Sequence, residues 1–75
     1  MTTLRAFAVK LYTELLWYMA QEHGKVETAT IQACVDYGRM AGFGDSLIKL
    51  DLCGVALVDA ERAEDALFVN ERNSH

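Results

Sequence analysis

The chain is short of cysteine, of positive charge and of long uncharged apolar runs, and each shortage closes off a class of protein. Two cysteines in 75 residues cannot build the framework of a disulfide-rich miniprotein. The 7 Lys+Arg against 11 Asp+Glu leave a formal net charge of -4. That balance argues against a general polyanion binder, whose affinity comes from neutralising phosphates. The most apolar stretch, Leu4 to Ala20, carries Arg5, Lys10 and Glu14. It reads as neither a membrane span nor a signal peptide, so no membrane partner is expected and the expected location is cytoplasmic.

What is present is a globular composition, 52% apolar and 24% charged, rather than that of a disordered chain. The length allows one small domain, placed at residues 1–69. Residues 70–75 have no apolar anchor beyond Val69 and are expected to fray. A chain this short buries a modest core. Association, with itself or with a larger protein, is therefore the starting expectation.

Leu4, Phe7, Leu11, Leu15 and Tyr18 recur at helical spacing, with Ala8 and Met19 on the flank. They predict a first helix over about residues 3–23, capped by Thr3 and stopped near Gly24, with this stripe as its buried face. Ala6, Val9, Thr13, Leu16 and Ala20, with Trp17 beside them, form a second apolar stripe on the far side. A helix apolar on two sides is central to its fold or shared with a partner. The candidate protein interface is therefore Val9, Leu16, Trp17 and Ala20, since exposed tryptophan often anchors interfaces.

Thr28 is a cap for a second helix whose inner face is Ile31, Cys34 and Val35. Gly38, Gly42 and Gly44 predict a break and a tight turn. A third helix starts near Asp45 or Ser46, turns Leu47, Leu50 and Ile48 inward, and stops at Gly54. Beyond it the reading divides. Val55-Ala56-Leu57-Val58 and Ala66-Leu67-Phe68-Val69 flank a polar stretch, which predicts a β-hairpin over about residues 55–69. Asp59 as a cap for Ala60, Ala63, Ala66 and Leu67 predicts a helix instead. The expected fold is mainly α, three helices with a short C-terminal hairpin, with an all-α four-helix domain as the alternative.

Helix, link, helix, glycine turn, helix and hairpin in that order resembles the winged helix-turn-helix family, from about Leu11 to Val69. Gly24-Lys25-Val26 is similar to that family's short first strand, Leu50 to Val58 to the end of its third helix and first wing strand, and Glu61-Arg62-Ala63-Glu64 to its wing tip. The resemblance implies a DNA-binding regulator. Its third helix would offer Ser46 and Lys49 to the major groove, with Lys25, Arg39 and Arg62 on phosphates. Asp45, Asp51, Glu61, Glu64 and Asp65 oppose that role by charge.

No catalytic, metal or cofactor site is expected. Cys34 and Cys53 lie nineteen positions apart, outside any zinc spacing, and read as small apolar side chains. His23 suits a helix C-terminus, where the dipole favours it. Gly42-Phe43-Gly44 lacks the third glycine of a dinucleotide loop and reads as a turn. Asp59, Glu61, Glu64 and Asp65 do not fit a calcium loop and read as a solvated acidic face. The favoured function is a small acidic, non-enzymatic regulator that binds a larger protein or itself as a homodimer. Its acidic surface would fill a basic groove of the target, by analogy with small phage-encoded inhibitors. The alternative is the winged-helix DNA regulator.

Overall fold

Thr3 opens the first element. Its Oγ1 accepts the Ala6 N–H at 3.1 Å, satisfying one of the donors that a helix start leaves bare. The computed structural model describes residues 3–22, 26–55 and 58–73. Four helices follow in order: α1, Leu4–Gln21; α2, Thr28–Met40; α3, Asp45–Gly54; α4, Ala60–Asn73. There is no strand among the described residues.

The expected hairpin is therefore corrected to a helix, and the fold is the four-helix alternative. Asp59 decides the matter locally, because its Oδ1 accepts the Arg62 N–H at 2.8 Å and starts α4. Ala63, Ala66 and Leu67 then fall on one buried face, packed toward α2 and α3. The presumed wing tip, Glu61 to Glu64, is the first turn of this helix. The backbone stays helical to Asn73, four residues past the expected end of the domain. Ala56 and Leu57 of the expected first strand lie outside the described residues, as do His23, Gly24, Lys25 and His75.

The turn between α2 and α3 has a defined cause. Gly42 sits at φ 89°, a region costly for any side chain with a Cβ. The Phe43 N–H donates to the Gly38 carbonyl at 3.0 Å, and the Gly42 N–H to the Arg39 carbonyl at 3.0 Å. This paired return closes the end of α2 as a Schellman motif. Gly38 does not break the helix as expected. It lies inside α2, where a Cβ would come within 2.9 Å of the Tyr12 ring and 3.0 Å of the Ile48 side chain. Its bareness lets α1 and α3 approach α2 at one point. The caps shift by one residue from expectation, to Glu27 for α2 and Gly44 for α3.

The core confirms the inner face of α2: Ile31, Cys34 and Val35 are buried. It corrects the other two. In α1 the buried residues are Ala8, Tyr12, Leu16 and Met19. That stripe is turned by about 90° from the stripe read as internal, at the roughly 100° per residue of an α-helix. In α3 Ile48 and Leu52 are buried while Leu47 and Leu50 face outward. The reason in both cases is Tyr12. Its ring enters the Gly38 notch and meets Phe43 at 5.1 Å between centroids. Its hydroxyl donates to Asp51 Oδ2 at 2.7 Å. A buried phenol needs such an acceptor, and providing it fixes the rotation of both helices. Among the described residues, no helix is long and apolar enough to cross a membrane.

Candidate protein-binding face

Charged side chains first set which surfaces are available. Arg39 Nη2 pairs with Asp45 Oδ2 at 2.9 Å and donates to the Leu67 carbonyl at 3.3 Å. Lys49 Nζ pairs with Glu64 Oε1 at 2.5 Å. Arg62 Nη2 donates to the Val26 carbonyl at 2.6 Å. These three latches join the end of α2 to α3 and α4, α3 to α4, and α4 to the segment before α2. Arg5 Nε similarly donates to the Ala41 carbonyl at 2.9 Å, holding the start of α1 against the turn. Of the residues suggested for nucleic acid, Arg39, Lys49 and Arg62 thus have internal partners. Ser46 is exposed and Lys25 lies outside the described residues.

Cys34 belongs to the core. Cys34 is fully buried, with its Sγ 4.0 Å from the Tyr12 carbonyl oxygen. Burial, with a smaller contribution from the Asp51 carboxylate, pushes its thiol up to about 12. A thiol so held is neither nucleophile nor metal ligand at neutral pH. Cys53 is half-buried, and both cysteines are free. Burial and the Asp51 hydrogen bond raise Tyr12 far above the ordinary phenol range, which keeps it neutral as a donor. Among the described residues, no group of three or more His, Cys, Asp or Glu is placed to hold a metal ion.

The expected interface on α1 divides. Leu16 is core, a correction, because its face meets the buried cluster with Met19 and Val26. Val9 and Ala20 are half-buried beside it, and Trp17 stands out. The larger unpartnered surface is the stripe that sequence periodicity assigned to the interior. Leu4 is 69% exposed, Phe7 48% and Tyr18 54%; Leu11 is half-buried between them, and Leu15 is half-buried and packs against the edge of the core. The stripe runs from Leu4 to Tyr18 along α1, about 21 Å at 1.5 Å per residue.

Neighbouring elements extend this face. α1 and α2 run antiparallel, since Arg5 reaches Ala41 and Tyr12 reaches Cys34. At the far end Tyr18, Glu22, Val26, Glu27 and Thr30 line a hollow of about 200 Å³. The Glu22 carboxylate beside Tyr18 raises its phenol above the ordinary value. Thr30 therefore marks the side of α2 that borders the stripe. Tyr37, seven residues on, shares that side by helical spacing and is half-buried. Sequence reasoning missed this face because its strong periodicity is the usual signature of a core. No family model, curated protein or solved structure matches the chain.

Proposed function

We propose that the protein is a small acidic, non-enzymatic regulator that acts by binding another protein, and that it binds through the outer face of α1. The observation that carries this reading is the exposed stripe Leu4, Phe7 and Tyr18, continued by Leu11 and Leu15. Single exposed apolar side chains are ordinary, but a continuous patch of them marks an interaction surface. The chemistry-bearing groups fit the same reading, since Tyr12, Asp51 and Cys34 serve the core. The setting is the cytoplasm, where two unpaired thiols remain reduced. DNA binding receives less support, because Arg39, Lys49 and Arg62 are held by internal partners.

The test is the double substitution Leu4→Ser/Phe7→Ser. Both positions are exposed, so helical content and melting temperature should stay at the unsubstituted values. Photo-crosslinking from position 11 in the cell of origin should yield a protein adduct in the parent chain and lose it in the double variant. An adduct that survives the double substitution, or one made to nucleic acid, would refute the reading.

A further inference from the structure

We infer that the occupant of this face is a second copy of the chain, packed antiparallel about a two-fold axis at Leu11; the inference rests on the α1 face being the docking surface. The two apolar sides of α1 lie about a right angle apart, at the roughly 100° per residue of the helix. That is the geometry of a corner helix in a four-helix bundle, which meets one neighbour on each of two adjacent sides. α2 fills the first side. A second α1 fills the other, and the two copies of α2 close the square.

The spacing of the stripe is its own reverse. Leu4, Phe7, Leu11, Leu15 and Tyr18 are separated by 3, 4, 4 and 3 positions. Antiparallel pairing centred on Leu11 therefore sets Leu4 against the partner's Tyr18, Phe7 against the partner's Leu15, and Leu11 against itself. An isologous contact needs this self-complementarity, and an unrelated partner does not. α2 repeats the pattern. Thr30, Ala33, Tyr37 and Met40 follow helical spacing along the side of α2 that borders the stripe, separated by 3, 4 and 3 positions. The first three are half-buried and Met40 is 48% exposed. Their midpoint is position 35. Arg5 reaches Ala41 and Cys34 reaches Tyr12, so the antiparallel helices place position 35 level with Leu11. One axis thus passes through the centre of both stripes.

Charge fits the same axis. α1 carries Arg5 and Lys10 in its first half, Glu14 in its second and Glu22 at its cap. Along one chain these cancel, and a reversed second copy lays unlike halves side by side. Lys10 and Glu14 are both exposed and share the flank of the stripe away from the buried side, by helical spacing. Pairing about Leu11 brings Lys10 within two positions of the partner's Glu14, about 3 Å along the axis. The symmetry makes that pair twice.

Sedimentation equilibrium on the full chain should show a dimer. Leu4→Ser/Phe7→Ser should return it to monomer with helical content unchanged, and the adduct formed from position 11 should be a dimer of the chain. Lys10→Glu and Glu14→Lys should each weaken the dimer at least about tenfold, since each sets like charges across the axis twice. Mixing these two variants in equal amounts should restore the parent's affinity as a heterodimer, because every facing pair is then unlike. Adding Glu61→Lys to Lys10→Glu restores the net charge on the exposed start of α4 and should not restore the dimer.

A parent chain that stays monomeric while position 11 crosslinks to a different protein overturns the second copy and leaves the docking face standing. A dimer that survives Leu4→Ser/Phe7→Ser overturns the inference, because its contact lies elsewhere. So does a dimer that the two charge variants leave unchanged, that fails to recover when they are mixed, or that Glu61→Lys restores. A monomer that forms no protein adduct at all overturns the inference and the docking face together.

Discussion

The two sides of α1 carry comparable apolar character and have opposite fates. The inner side is Ala8, Tyr12, Leu16 and Met19, all buried. The outer side is Leu4, Phe7, Leu11, Leu15 and Tyr18, which is longer, more regular and exposed or half-exposed throughout. Hydrophobicity alone would have chosen the outer side for the core. The inner side wins because it fits. Gly38 supplies a notch for the Tyr12 ring, the Phe43 ring packs beside it at a tilt of 53°, and Asp51 accepts its hydroxyl. Tight packing and a satisfied buried polar group outweigh a larger stripe with no matching surface. The outer side then remains as surplus apolar surface in a domain too small to cover it, and that surplus is the basis of the proposed binding.

The contrast is most sharply tested by placing a charge on the inner side. Leu16→Glu puts an unpaired carboxylate among Met19 and Val26. Burying it costs at least about 3 kcal/mol, against a total of about 4 to 11 kcal/mol for a chain of this length. Far-UV circular dichroism should show extensive loss of helix at 25 °C. A fully helical Leu16→Glu variant would mean that the two sides are interchangeable.

Alkaline pH should act next most strongly, and again through the inner side. Cys34 has its folded-state pKa raised from 9.0 to about 12. Between those values the folded chain holds a proton that the unfolded chain has released, so stability falls as pH rises. The stabilisation is complete below pH 9, is lost progressively toward about 12, and Tyr12 adds to the loss above the ordinary phenol value. Cys34→Ala should move the onset of alkaline unfolding upward, toward the range set by Tyr12. An onset that does not move in Cys34→Ala would show that the buried thiol is not what titrates.

A smaller effect is expected at the notch. Gly38→Ala gains about 1 kcal/mol of helix propensity. It also forces a Cβ to within 2.9 Å of an aromatic ring that cannot bend away, at about 1–3 kcal/mol. The net result should be a melting temperature lower by several degrees, at about 4–8 °C per kcal/mol for a domain of this size. A higher melting temperature would mean that the notch does not select the inner side. The smallest effect belongs to the outer side. Leu4→Ser/Phe7→Ser should change unfolding free energy by no more than about 0.5 kcal/mol in urea titration. A larger loss would make that stripe part of the core.

Much of the local architecture was legible without coordinates, because it depends on a few neighbouring residues. Thr3 caps α1, Gly54 ends α3, and Ile31, Cys34 and Val35 face inward from α2. The glycine-rich stretch is a turn, though through Gly42 and Gly44 rather than Gly38. The last segment carried two local signals of similar strength, apolar runs of strand type and an Asp59 cap followed by alanines. Burial of Ala63, Ala66 and Leu67 against α2 and α3, with Arg62 and Arg39 fastening α4 in place, decided for the helix. Propensity could not, because the deciding contacts join residues some thirty positions apart.

The binding face was legible only in part. The sequence determined that α1 is apolar on more than one side, that the chain is acidic, and that a domain of this length leaves apolar surface uncovered. Which side stays uncovered was decided by the tertiary structure alone. Periodicity reports how many apolar residues lie on a face, whereas burial depends on whether another element has the shape and the hydrogen-bond acceptor to receive them. Here Gly38 and Asp51, 26 and 39 positions from Tyr12, had both.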